Sequence, residues 1–154
     1  IEKIINFNVS PRIEIWLSAL SRIKERPIQG WGASTFPILH QEYNKAFFIP
    51  KEVFDAGHSH NMALELAHNF GIPLAILLIT SIILLLFRTL KSIYFENKLH
   101  HNFLLNKAWL ASALIIITSH LTDITYYDGK ISILIGTLFA GLKCIHDEQY
   151  YAQN

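Results

Sequence analysis

Two histidines stand two residues apart in "GHSHNMALELAHNFG" (57–71), directly ahead of one of the longest apolar runs in the chain. An imidazole can take a proton near neutral pH, hold a metal ion, or solvate a helix start. The surrounding spacing narrows the choice. If a helix begins near His60–Asn61, then Asn61, Glu65 and His68 recur at i, i+4 and i+7 and form one polar stripe on an otherwise apolar cylinder. Ionisable side chains at membrane depth usually face a bundle interior or a wet cavity. The unpaired amides of a helix start also favour an anion. The positive end of the helix dipole disfavours imidazolium, so a histidine there is suited to accept a proton beside a bound phosphate. Two plainer readings stand beside this one. The stretch can be simple helix capping, or His58, His60 and His68 can bind a metal, although no Cys and no obvious fourth ligand accompany them.

Those side chains need elements to hold them. "FGIPLAILLITSIILLLF" (70–87) has no charge over eighteen residues. With the preceding turn it reaches the roughly 20 apolar residues that a bilayer crossing takes, and Pro73 is tolerated in such a helix. A second span, 103–122, requires Lys107 to snorkel. A third, 131–145, is short and needs Lys143 to snorkel, with Tyr126 and Tyr127 at the interface. Upstream, "SPRIEIWLSALSRIKERP" predicts an amphipathic helix over 11–26, with Ser10 as cap and Pro11 in its first turn. Its apolar face is expected at Ile13, Trp16, Leu20 and Ile23, and Pro27 ends it. Gly30 and Gly32 frame Trp31 in a tight turn, and residues 37–57 read as an irregular loop.

Composition agrees with a membrane. The 154 residues are 51% hydrophobic and only 16% charged, against about 25% charged in ordinary soluble domains. A net charge of +1 argues against a nucleic-acid partner. The single cysteine, Cys144, excludes an internal disulfide and is expected to pack as a small apolar residue. The chain starts Ile-Glu-Lys and its one methionine is Met62, so it reads as the C-terminal piece of a longer protein. The fold class expected is all-α: a polytopic integral membrane fragment with about three transmembrane helices and an outward-facing loop.

Charge orients it. The connection 88–107 carries Arg88, Lys91, Lys98 and Lys107, whereas 122–130 holds one lysine and two aspartates. Basic excess marks the cytoplasmic side. The organisation expected is a periplasmic loop over 1–62, a span over 63–88, a cytoplasmic loop over 89–102, a span over 103–122, a periplasmic turn over 123–130, a span over 131–145 and a cytoplasmic tail over 146–154. His100 and His101 then lie in the cytoplasmic loop, and His120 and Asp123 near the outer end of the second span.

"PRIEIWLSALSRIKERPIQGWGASTF" followed by "HSHNMALELAHNFGIPL" resembles the C-terminal region of the O-antigen ligase and Wzy-type O-antigen polymerase superfamily. Its members carry an Arg-x-x-x-Trp helix (here Arg12 and Trp16), a proline and a Gly-x-Gly turn (Gly30, Gly32). A His-Asn pair follows (His60, Asn61), with nine residues before a glycine (Gly71). Leu74 departs from the Gly, Thr or Tyr that closes the family motif. The resemblance covers residues 10 to about 90. It implies a glycosyltransferase of the O-antigen ligase type in the bacterial inner membrane, multi-pass, with its active site facing the periplasm. The donor implied is a glycan on undecaprenyl diphosphate and the acceptor a sugar hydroxyl of lipid A–core, transferred with inversion. A polymerase extending a glycan acceptor, or a non-enzymatic transport protein of the same superfamily, is the alternative. No cofactor or metal is implied. His60 would be the general base and Arg12 the catalytic arginine on the diphosphate. His58, Asn61, Glu65 and Arg22 would contact substrate, and Trp16, Gly30, Gly32 and Gly71 would shape the site.

Overall fold

The computed structural model describes residues 11–47, 56–96 and 102–151, all of it helix and connection with no strand among them. Ser10, His100, His101 and parts of the 37–57 and 89–102 connections lie outside the described residues. The chain divides into two compact units, Ile1–Ala75 and Ile76–Asn154.

The first unit is built from three helices. Helix α1 covers Pro11–Glu25, the span expected, but its buried face is Ile15, Ser18, Ala19 and Ile23. Ile13, Leu17 and Leu20 stay 43–47% exposed. Ser18 and Ala19 let neighbouring backbones approach between Ile15 and Ile23, and Ile13, Leu17 and Leu20 form a second apolar stripe left open. Helix α2, Phe36–Ala46, replaces the first half of the expected loop. Pro37 does not break this helix, because proline in the first helical turn has no paired amide to lose and a φ already suited to the helix. Phe36, His40 and Asn44 recur every four residues and are its buried face. Helix α3, Met62–Phe70, lies over α1. Ile15, Ala19, Phe36 and Ala56 close the core, with Trp16 and Leu64 packed on it.

Helix α4 runs Ile72–Lys91, followed by a π-helical turn at Ser92–Glu96. The expected 63–88 span is therefore two helices, broken at Gly71, whose φ of 84° and ψ of 162° no other residue readily adopts. In the second unit, α5 (Phe103–Ser119) and α6 (Gly129–Tyr151) pack on each other and on the π turn. Their core is Ile93, Leu110, Ala113, Leu138, Leu142 and Ile145. Gly141 is a notch in α6: a Cβ there would overlap the Trp109 ring, whose indole N–H donates to the Leu138 carbonyl at 3.0 Å. Thr89 Oγ1 donates to the Leu142 carbonyl at 3.1 Å and ties α4 to α6. Helix α6 starts at an Asp128 cap and continues well past the expected limit of 145. Cys144 is exposed on it rather than packed inside.

Two stretches, Ile72–Tyr94 and Gly129–Glu148, are long and apolar enough to cross a membrane, and α5 is a shorter apolar helix. Only 11% and 17% of those two windows is buried. A core helix of a soluble protein is mostly covered; helices this apolar and this bare suit an apolar solvent.

Candidate functional site

The glycine-bearing loop that follows α1 meets the C-terminal end of α3. Helix α3 would leave its last carbonyls unpaired. The loop answers them: the Trp31 amide donates to the His68 carbonyl at 2.7 Å and the Gly32 amide to Asn69 at 3.0 Å. In return the first amide of α4, at Ile72, donates to the Pro27 carbonyl at 2.7 Å. Backbones this close leave no room for a side chain. A Cβ on Gly30 would come within 2.6 Å of the Gly71 nitrogen, and one on Gly71 would overlap the Ile28 carbonyl. Both glycines also have positive φ, +68° and +84°. The Gly-x-Gly turn and Gly71, forty residues apart in sequence, are thus two sides of one crossing. Trp31 is anchored there through its indole N–H to the Arg22 carbonyl (2.8 Å), and the Arg26 guanidinium stacks 4.1 Å over its ring.

At the other end of α3 the histidine stretch is fixed by two side chains. Asn61 is the N-cap: its Oδ1 accepts from the Ala63 and Leu64 amides at 3.0 and 3.2 Å. An asparagine cap is worth about 1 kcal/mol. Two of the amides expected to greet an anion, those of Ala63 and Leu64, are therefore already taken by Asn61. Glu65 holds the approach. It is 1% exposed, and its Oε2 accepts from the Ser59 amide at 2.8 Å while Oε1 accepts from the Asn69 side-chain amide at 3.3 Å. Asn69 Oδ1 lies 3.1 Å from His68 Nδ1. A buried polar chain His68–Asn69–Glu65–Ser59 results, and it is the polar stripe turned to the interior. Glu65, expected to meet substrate, is engaged inside the protein.

His60 sits between these two anchors, immediately before the cap, with φ of 51°. That left-handed backbone is uncommon for a residue with a side chain and persists because Ser59 and Asn61 are pinned on either side. The rings of His58 and His60 meet edge to face at 4.3 Å, and both side chains are half-buried.

The arginines divide. Arg12 lies exposed in the first turn of α1 and makes no hydrogen bond or ion pair among the described residues. Arg22 is committed elsewhere: Nη1 pairs with Glu25 at 3.1 Å, and Nη2 reaches the Leu39 carbonyl at 3.2 Å and Glu42 at 3.5 Å. It ties α1 to α2. Trp16 supports the core beside Leu64.

The sequence reading missed a second buried polar set. His40 Nδ1 lies 2.9 Å from Ser18 Oγ, and the Asn44 side-chain amide 3.2 Å from His40 Nε2. Phe36 stacks on His40 at 5.5 Å and meets the His68 ring edge-on at 5.2 Å. The signal was present as Phe36, His40 and Asn44 at every fourth position, hidden by the loop assignment. One turn away burial, aided by the Glu14 carboxylate, raises the Tyr43 hydroxyl above its ordinary range, so it stays protonated.

Residues 6–79 match the family described as O-antigen ligase (Wzy_C). That stretch includes the glycine crossing, the capped histidine loop, α1–α3 and the start of α4, which bears out the resemblance carried by Arg12, Trp16, Gly30, Gly32, His60, Asn61 and Gly71. Neither the curated proteins nor the solved structures give a match to the chain.

Proposed function

Taking the O-antigen ligase superfamily membership of residues 6–79 as its premise, we propose that this chain is the catalytic C-terminal part of a membrane glycosyltransferase. It moves a glycan from undecaprenyl diphosphate to a sugar hydroxyl of lipid A–core at the periplasmic face of the bacterial inner membrane. The observation that carries the reading is the held, half-buried imidazole of His60 ahead of the Asn61 cap. In the proposed step His60 takes the proton of the acceptor hydroxyl as its oxygen bonds to the donor's anomeric carbon. The bond from that carbon to the diphosphate oxygen breaks in the same displacement, so the configuration inverts. The leaving diphosphate gains charge, which the exposed guanidinium of Arg12 offsets. The apolar helices suit a donor with a polyprenyl tail. No metal or nucleotide enters this scheme.

The test uses a strain whose only copy of the full-length protein is wild type, His60→Ala or His58→Ala at matched membrane levels. General-base catalysis contributes about 10²–10⁴-fold, so His60→Ala should leave lipid-linked polymer unattached while donor binding survives. His58→Ala should be milder. A core bearing a single repeat unit would make the protein a polymerase, and an unchanged ladder in His60→Ala would remove the base role. Transfer by the purified protein should persist in excess chelator; activity that is lost and then restored by zinc would make the histidines ligands.

A further inference from the structure

In the second unit, Ser81, Leu84, Leu85 and Arg88 of α4 and Lys143 and His146 of α6 line a cavity of about 270 Å³. Its walls differ in kind. Leu84 and Leu85 lie on the apolar stretch of α4, and Arg88 and Lys143 stand where each helix turns from apolar to charged. The Thr89 hydroxyl, next to Arg88, donates to the Leu142 carbonyl, next to Lys143. That bond fixes the two cations on one rim. Lys143 forms an ion pair with Asp147, and Arg88 is exposed with no ion pair among the described residues. Two cations against one carboxylate leave the rim net positive.

A cationic rim over an aliphatic wall, at the polar end of two helices bare enough to face lipid, has one complementary occupant. We propose that this cavity binds an anionic phospholipid, with the headgroup phosphate on Arg88 and Lys143 and an acyl chain along Leu84 and Leu85. Arginine grips phosphate through paired N–H groups, and each basic residue near an anionic membrane surface adds to the attraction. A zwitterionic lipid brings its own ammonium to the same positive rim and loses that gain. The site is independent of the glycosyl-transfer reading and stands or falls separately.

The full-length protein in detergent is titrated with phosphatidylglycerol, phosphatidylcholine and inorganic phosphate, and bound lipid is counted by native mass spectrometry. Wild type should bind phosphatidylglycerol roughly tenfold more tightly than phosphatidylcholine. Arg88→Gln with Lys143→Gln should erase that preference, Arg88→Lys should keep part of it, and Lys130→Gln at the opposite end of α6 should keep all of it. Equal binding of the two lipids, or an undiminished preference in the double variant, overturns the proposal. Displacement of phosphatidylglycerol by millimolar phosphate would make this a free-anion site and overturn the lipid assignment. Arg88→Gln alone, at an exposed position, gives the same reading should the double variant fold poorly.

Discussion

Glu65 decides where His60 can be. Its carboxylate is buried, accepts the Ser59 amide on one oxygen and is bound by Asn69 on the other, so removing it strands two buried donors at a cost of about 1–3 kcal/mol each. Glu65→Ala is expected to lower transfer at least tenfold with donor affinity little changed, because the loop around His60 loses its inner anchor. Glu65→Gln keeps an acceptor for Ser59 and should retain more activity. Turnover unaffected in Glu65→Ala would show that Asn61 alone positions the histidine. Arg12 makes the opposite case: it is exposed and uncommitted among the described residues, as a group waiting for diphosphate should be. Lysine reproduces the charge but not the planar fork, so Arg12→Lys should lose nearly as much transfer as Arg12→Ala. Full activity in the alanine variant would leave Arg12 a surface charge.

Between elements, the glycine crossing has no redundancy. Gly71 separates α3 from α4 in a conformation reserved for glycine, and Gly30 lies against its backbone. Backbone strain alone costs about 1–3 kcal/mol for a side chain at either place, before the steric overlap. Gly30→Ala and Gly71→Ala should each lower the melting temperature of the detergent-solubilised protein and weaken transfer. Gly57→Ala, where a Cβ meets nothing within 4 Å, should do neither. An unshifted melting temperature in Gly71→Ala would mean the crossing opens at little cost. This contact also marks how far the sequence could be read. Gly30 and Gly32 were legible because a tight turn imposes its residue type locally, and capping was one reading of the stretch that holds Asn61, whereas the break at Gly71 was not legible because an uncharged apolar run reads as one continuous span. The mutual approach of Gly30 and Gly71 was not legible either, since it depends on tertiary docking of α3's free carbonyls. Helix α2 was missed because Pro37 is a breaker inside a helix and an ally at its first turn. The buried face of α1 was misplaced because apolar size points to Ile13 and Leu20, whereas close packing selected Ser18 and Ala19. For the same reason the partners of Arg22 and Glu65 were not legible: side-chain type reveals charge, and only the fold reveals what it pairs with.

Across the whole chain, the apolar helices and the distribution of lysine and arginine must give one orientation. The helix windows that are bare in the structure are the ones whose flanking segments differ in charge: Arg88, Lys91 and Lys107 flank one connection, and Asp123 and Asp128 the other. Basic residues are retained on the cytoplasmic side during insertion, so Lys91 should face the cytoplasm, and Gln29, in the loop docked on the C-terminal end of α3, the periplasm. On that expectation α4 crosses once to the basic connection, and α5 and α6 then return across and back. Helix α5 has 17 residues, about 25 Å at 1.5 Å per residue, so it spans only where Lys107 reaches up to the interface. Lys107 is placed for that, its ammonium 4.0 Å over the Phe103 ring and 4.9 Å over Tyr94. In a background cleared of native cysteines, with exposed Cys144 changed to serine, Gln29→Cys in intact cells should react with an impermeant thiol reagent. Lys91→Cys should react only after the membrane is opened, and Lys130→Cys should behave like Gln29→Cys. If Lys91→Cys reacts in intact cells and Gln29→Cys does not, the histidine site faces the cytoplasm and a periplasmic transfer reaction is impossible for it. If Lys130→Cys is protected with Lys91→Cys while Gln29→Cys reacts, α5 does not cross, and only α4 separates the site from the basic connection.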